Sequence, residues 1–282
     1  MFEINLSRER LQVINILFIV LIGCMHAGCS GPKKQSDRPG GKSRFNVRAM
    51  SFNIAGDSEE LQQRMPEVAK IIASEKPDVI GFQEAFLNNF EIIQADVPGY
   101  AYYGLNEMGR DDDEDESLRL FYRTDRWAVD EDDSGIFWYT RTPDVPGSKD
   151  WEALWIRDCV YARLVDKQTG DAFYLFNSHW SYASPLSRDN SARLLTQKIK
   201  DRKHLSPFFA IGDFNARKND SSIQYLLHGD ENPLPMDVVV YNRVDWIFAQ
   251  AGQYEVVEAK VIDNDEASDH RAIVAEVKFY VK

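Results

Sequence analysis

The sequence predicts an α/β (α+β) fold: a four-layer α/β sandwich of two packed, mainly antiparallel β-sheets with helices outside. Three observations point there. Apolar runs of strand length recur from Phe45 to Tyr280, several of them stopping at a short polar cluster. Residues 45–82 read as strand, helix and strand, which is a layered α/β unit. No break in composition divides residues 45–280, and no period of 20–50 residues repeats, which excludes solenoids and propellers. At 282 residues, 44% hydrophobic and 12% aromatic, the chain is rich enough in apolar side chains to build a well-packed globule.

The N-terminus is a separate matter. Arg8 and Arg10 precede the apolar run Leu11–Ile22, too short for a comfortable membrane span, so residues 1–23 read as a signal peptide. The run ends in Leu21-Ile22-Gly23-Cys24, which resembles the lipobox of bacterial lipoproteins, where the cysteine becomes the lipidated first residue. An ordinary signal peptide or an uncleaved anchor is the alternative, and Cys29 is a second lipidation candidate. Ser30 to Ser43 is rich in Gly, Pro, Ser and Lys, so residues 24–44 are expected to form a lipidated, flexible tether. Several acyl chains on Cys24 would hold the protein stably on a bilayer, giving an exported protein of the cell envelope. Residues 45–282 then hold one cysteine, Cys159, expected as a buried small hydrophobe.

Along the body, Phe45–Ile54 reads as a strand ending in Ser-Phe-Asn53. Asp57 or Ser58 offers an N-cap for a helix with Leu61, Met65, Val68, Ala69 and Ile72 at helical spacing, which Pro77 ends. Asp78–Phe82 is the next strand and delivers Gln83-Glu84. Tyr100–Asp115 reads as a loop whose acidic run, residues 111–116, is a solvated surface without the ligand pattern of a calcium loop. Leu118–Trp127, Ser134–Tyr139 and Asp158–Val165 read as strands, and Asp166–Asp171 as a hairpin turn. Ala172–Phe176 precedes Asn-Ser-His179-Trp, and an amphipathic helix carries Ala192, Leu194, Leu195 and Ile199. Phe208–Ile211 is a buried strand that delivers Gly-Asp213-Phe-Asn215. Val-Asp245-Trp-Ile and Ser-Asp269-His270 mark two more strand ends, the second before Ala272–Tyr280.

Charge narrows the function. Residues 1–23 are neutral and residues 24–48 carry +5, which leaves −17 of the chain's net −12 on residues 49–282. A body this acidic repels polyanions, so tight non-specific DNA binding is not expected, while divalent cations are concentrated. No obligate protein partner is evident.

Gathered at one end of two sheets, these clusters hold what phosphate-ester hydrolysis needs. Glu84 can hold Mg²⁺ or Mn²⁺ through oxygen, with Asn53 supporting it. Asp213 can polarise a water that Asn215 orients, and histidines can stabilise charge growing on the phosphoryl group. Asp245 can accept from His270 and fix its tautomer. Each residue also has a structural reading: an Asn or Asp in a turn, or a histidine satisfied in the core.

Taken in order, Ser-Phe-Asn53, Gly-Phe-Gln-Glu84, Asn-Ser-His179-Trp, Gly-Asp213-Phe-Asn215, Val-Asp245-Trp-Ile and Ser-Asp269-His270 resemble the endonuclease/exonuclease/phosphatase superfamily over residues 45–280. The resemblance implies a metal at Glu84, Asn53 and Asp269, and a nucleophilic water between Asp213 and Asn215. It implies His179 and His270 at the scissile phosphate, with Asp245 paired to His270. It further suggests Arg157 as a phosphate contact and Glu116 as the carboxylate that orients His179. Some nucleases of the group carry an Asp where this chain has Ala55, which puts a second metal position in doubt.

The implied activity is hydrolysis of a phosphodiester or phosphomonoester. A nuclease acting on scavenged nucleic acid, or an inactive binding protein on the same fold, are the alternatives. The Trp151–Trp155 loop and Trp180 are the candidates for an exposed substrate platform.

Overall fold

A computed structural model describes residues 44–56, 61–228, 232–264 and 267–280. The expected signal peptide, Cys24, Cys29, the tether as far as Ser43 and the Asp57/Ser58 cap lie outside the described residues.

The first half of the body runs β1 (Arg44–Asn53), α1 (Leu61–Glu75), β2 (Val79–Gln83), α2 (Leu87–Asp96), β3 (Tyr100–Tyr103), β4 (Leu120–Arg123), β5 (Trp127–Trp138) and β6 (Asp158–Asp166). The second half runs β7 (Ala172–His179), α3 (Pro185–Lys200), β8 (Phe208–Asp213), α4 (Ser221–His228), β9 (Met236–Asn242), β10 (Asp245–Gln250), β11 (Tyr254–Val261) and β12 (Ile273–Tyr280). One sheet has the order β11-β12-β1-β2-β4-β3 and the other β5-β6-β7-β8-β10-β9. Each holds a single parallel pair, β1–β2 and β7–β8. Parallel neighbours need a crossover, and α1 and α3 supply the two.

Three apolar layers separate four structural ones. Val47, Ala49, Leu175, Phe209, Ile211 and Ala275 pack between the sheets. Met50, Phe52, Ile80 and Phe82 face outward under Met65, Val68 and Ile72 of α1. On the other side Phe176, Phe208 and Ala210 face Leu195 and Ile199 of α3 and Ile223 of α4. Burial on both faces is why β8 reads as an unbroken apolar run rather than an alternating one. The α1 helix stops where Lys76 turns to φ +47°, its N–H still bonded to Ile72 O at 2.8 Å, ahead of Pro77.

The structure departs from expectation at the sheet edges. The predicted loop from Tyr100 begins with β3, a four-residue edge strand whose side chains are all half-buried. Leu118–Trp127 is cut by a turn into β4 and the start of β5. Ser134–Tyr139 is the second half of β5, whose continuity a bulge between Asp130 and Gly135 conceals. Helices α2 and α4 and strands β9 and β11 were not expected as separate elements. Cys159 is buried as expected, and burial pushes its thiol pKa well up.

Candidate active site

Topology explains why distant motifs meet. The two parallel pairs end together, at Asn53 and Gln83 in one sheet and at His179 and Asp213 in the other. Asp245 opens β10, which runs antiparallel to β8 and sets Asp245 opposite Asp213. Ile273 opens β12 opposite Ser51 of β1, so Asp269 and His270 arrive at the same end. Asp245 therefore begins its strand, and Asp269 and His270 stand just before theirs, as expected from their place ahead of Ala272–Tyr280.

Close approach at the base of the site demands glycine and buried amides. A Cβ on Gly212 (φ +139°) would sit 1.9 Å from Ser178 O, and one on Gly81 would sit 2.6 Å from Asn177 Oδ1. Gln83 Nε2 donates to Asn177 Oδ1 at 2.7 Å, and Asn177 Nδ2 donates to Phe82 O at 2.8 Å, both side chains fully buried. These bonds join the two sheets beneath the site. Gln83 and Asn177 were legible only as neighbours of Glu84 and His179, and here they form its floor.

Above the floor, Asn53 Nδ2 donates to Glu84 Oε1 at 2.8 Å and to Asp213 Oδ2 at 3.2 Å. Asp213 Oδ1 accepts the Asn215 N–H at 2.8 Å, and Asn215 Nδ2 donates to Trp180 O at 2.9 Å. Asp213 Oδ2 lies 3.7 Å from His179 Nε2 and 3.9 Å from His270 Nε2, between the two imidazoles. His179 Nδ1 meets Glu116 Oε1 at 3.1 Å, and His270 Nδ1 lies 3.0 Å from both Asp245 oxygens. An ionised carboxylate only accepts, so both Nδ1 atoms carry protons and both Nε2 atoms face the centre.

Electrostatics follow from this packing. Burial alone would lower the His270 pKa, but the Asp245 hydrogen bond and charge, with Asp213 and Asp269, outweigh it and raise it to about 9. Burial raises Glu84, offset in part by His179 and Asn53 and reinforced by Glu116 and Asp213. Burial also works to raise Glu116, yet its bond to His179 and the charges of His179 and Arg157 bring it below the ordinary carboxylate value.

A cleft of about 550 Å³ opens over these groups. Arg157 lines it, buried, with Nη1 on Ile156 O at 3.3 Å and Nε without a partner. Glu107, Glu114 and Asp115 add acidity to its wall, and burial followed by the charges of Glu116 and Asp158 raises Glu107 to about 8. Two aromatics at the cleft are open to solvent, Trp155 at 59% and Tyr182 at 57%. Trp180, expected as exposed, is fully buried with its ring 4.6 Å from that of Phe214. Glu107 and Tyr182 come from loops that carry no periodic signal. Asp269 is exposed, touches Ser268 Oγ at 3.5 Å, and lines an adjoining recess with Arg217 and Arg243 rather than the Glu84 cleft.

The donor set suits a hard cation. Ligand-type atoms of Glu84, His179 and Asp213 lie within 4.8 Å of one another. Among the described residues neither Glu84 nor Asp213 pairs with a lysine or arginine, so two converging carboxylates lack a fixed counter-charge. Asn53 Oδ1 accepts the Ala55 N–H at 2.9 Å, so as oriented the amide positions Glu84.

Two helix-flanked sheets gathering acids, amides and imidazoles at one end give the fold of a phosphoesterase. The chain belongs to the endonuclease/exonuclease/phosphatase family, whose model matches residues 50–270. A family protein from Bacteroides vulgatus is 26% identical with a TM-score of 0.76, over 83% of this chain and 99% of that one. A family protein from Bacteroides thetaiotaomicron is 25% identical with a TM-score of 0.72, over 85% and 97%. A mannosyl-6-phosphatase of Bacteroides thetaiotaomicron is 26% identical with a TM-score of 0.69, over 82% and 99%. Comparison with curated protein sequences gives no match.

Proposed function

We propose that this protein is an exported, membrane-anchored, divalent-metal-dependent phosphoesterase, acting on a phosphate monoester of a small, uncharged polyhydroxy alcohol. One observation carries the chemistry: Asp213 ties one carboxylate oxygen into a turn and holds the other between two imidazole Nε2 atoms.

In this reading Asp213 Oδ2 takes the proton of the attacking water, and Asn215, anchored on Trp180 O, orients that water. His270 is charged at neutral pH and donates from Nε2 to the phosphoryl oxygens, while Asp245 keeps it protonated and aimed. His179, held at Nδ1 by Glu116, turns its Nε2 toward the phosphoryl group from the opposite side, and the buried Arg157 guanidinium steadies the bound phosphate. Glu84 would hold Mg²⁺ or Mn²⁺, with Asn53 fixing its carboxylate. Such an ion, when bound, withdraws charge from a phosphate oxygen. Asp269 serves by its charge on His270 rather than as a metal ligand.

The substrate class is supported by the cleft wall and by a relative. Carboxylates at Glu114 and Asp115 accept from hydroxyls but repel a second phosphate, Glu107, mostly protonated at neutral pH, can bond a hydroxyl without adding charge, and Trp155 and Tyr182 offer apolar faces to a sugar-like ring. A polynucleotide would bring further phosphates against the same acids. The similar mannosyl-6-phosphatase fits this choice. Export and anchoring are supported by Arg8, Arg10, the apolar run and Leu21-Ile22-Gly23-Cys24.

The test is a panel of sugar phosphates, nitrophenyl mono- and diesters and duplex DNA, each with Mg²⁺, Mn²⁺ or EDTA. Metal-dependent release of phosphate from sugar phosphates is expected. Full activity in EDTA would remove the metal, and faster turnover of DNA than of any monoester would remove the substrate class.

A further inference from the structure

A second cavity lies outside the catalytic cleft and shares no lining residue with it. It is a recess of about 490 Å³ at the open edge of the sandwich. Strand β3 gives it Tyr102 and Tyr103, strand β5 gives Gly135, Ile136 and Trp138, and Leu105 and Pro146 complete an apolar lining. Its only ionisable groups besides the two tyrosines are Arg119 and Asp111.

Arg119 is the anomaly. Its side chain is fully buried, and none of its three guanidinium nitrogens makes a hydrogen bond of good geometry. Nη1 has a close ion-pair contact with Asp111 Oδ1 at 2.9 Å, and the guanidinium lies over the rings of Tyr102 and Phe90, 5.0 and 5.6 Å from their centroids. Aromatic faces support the flat of a guanidinium but leave its edge donors unmet. Asp111 is a poor permanent partner, because its own side chain is 62% exposed and it sits in the acidic run that repels it. A buried cation that borders an apolar recess, with one exposed carboxylate over one of its donors, suits a planar anion that brings its own apolar body.

We propose that this recess is a second ligand site, which takes a small organic monoanion, a carboxylate on an aromatic or branched apolar body, in exchange for Asp111. The carboxylate meets the edge of Arg119 with two parallel hydrogen bonds. The body lies between Tyr103, Ile136 and Trp138. Asp111 then returns to solvent, where its charge is hydrated. The exchange uncovers the guanidinium edge as the Asp111 side chain swings away, and it is independent of the reaction in the catalytic cleft.

Benzoate and 4-fluorobenzoate are the probes, benzamide is the neutral control, and titration calorimetry with fluorine NMR is the readout on the whole body of the protein. Saturable 1:1 binding of benzoate is expected, with benzamide at least tenfold weaker. Asp111→Asn removes the internal competitor from an exposed position, so it should tighten benzoate about tenfold. Ile136→Trp fills the recess and should abolish binding while the far-UV spectrum and turnover stay unchanged, and Arg119→Met should abolish it too. Because a buried arginine variant can fail to fold, Asp111→Asn is the decisive arm. An Asp111→Asn affinity equal to or weaker than that of the parent would overturn the proposal. Equal binding of benzamide, no saturable binding at all, or displacement of benzoate by inorganic phosphate at concentrations that inhibit turnover would do the same.

Discussion

Asp245→Asn tests the electrostatic core of the site. In the parent, His270 Nδ1 lies 3.0 Å from both Asp245 oxygens and its pKa stands at about 9, although burial works to lower it. The folded value lies above the ordinary histidine value near 6.5, so the pairing's stabilisation is full below about pH 6.5 and is lost as pH rises through about 9. Asparagine keeps the shape and removes the charge, leaving burial to lower His270 against the remaining charges of Asp213 and Asp269, which brings it back toward that ordinary value. At pH 7.5 the parent ring is about 97% protonated, whereas a ring at pKa 6.5 is about 9% protonated. If the imidazolium is the active form, turnover at pH 7.5 should fall about tenfold from protonation alone, and further from lost aim. Two measurements read it: the pH–rate profile on a nitrophenyl monoester, and the His270 ring titration by long-range ¹H–¹⁵N NMR. The alkaline limb should move from near 9 down toward 6.5, with activity partly restored at pH 5.5–6. A variant whose alkaline limb stays near 9 would refute the assignment of that limb to His270.

Three further outcomes follow from other parts of the molecule. Gly212→Ala forces a Cβ to 1.9 Å from Ser178 O at φ +139°, so it should cost about 3 kcal/mol and lower the melting temperature by ~10 °C; a melting temperature within a degree of the parent would show that β7 and β8 can part. Trp155→Ala with Tyr182→Ala should raise KM for a sugar phosphate about tenfold and leave kcat within about twofold, since both rings are exposed at the cleft rather than at the phosphoryl centre; an unchanged KM would remove the platform. If the proposed anchor is on Cys24, Cys24→Ser should shift the protein from the detergent phase to the aqueous phase in a Triton X-114 partition and abolish palmitate labelling, and persistent labelling would move the proposed anchor to Cys29.

The parts of the molecule that were legible in the sequence share a physical cause. Asn53, Glu84, His179 and Asp213 close strands buried on both faces, and such strands stand out because their apolar runs stop abruptly where the chain meets solvent. Edges carry no such contrast. Tyr-Ala-Tyr-Tyr of β3 has no burial alternation to read, and β11 runs Tyr-Glu-Val-Val-Glu-Ala-Lys-Val with no residue buried. The bulge in β5 breaks the period on which strand recognition depends. Direction was also hidden. Asp245 looks the same at the start or the end of its strand, and only the antiparallel pairing with β8 shows that it opens β10. The Trp180 error has a similar source, because a tryptophan beside a site histidine reads as a platform until packing turns it onto Phe214. Cleft-wall residues such as Glu107 and Tyr182 belong to loops, and their positions depend on how those loops cross the open end of the sheets.

The turn and the cleft engage different atoms of the Asp213 carboxylate. Oδ1 accepts the Asn215 N–H at 2.8 Å and supports a backbone held at φ +46°, while Oδ2 faces the two imidazoles. Asn53 divides its amide the same way, Oδ1 on the Ala55 N–H beside a φ of +50° and Nδ2 on Glu84. Left-handed backbone at non-glycine residues is strained by about 1 kcal/mol each, and these turn bonds are what offset it. The two duties separate by substitution. Asp213→Asn keeps an oxygen for the turn and loses the base, so it should melt within about 2 °C of the parent and lose 10²–10⁴-fold in kcat. Asp213→Ala loses both, and should melt lower than Asp213→Asn by about 1–2 kcal/mol of turn stability at equal inactivity. Equal melting of the two variants would mean that Oδ1 contributes nothing to the turn. Activity remaining in Asp213→Asn would mean that the oxygen facing the histidines is not the one that takes the proton.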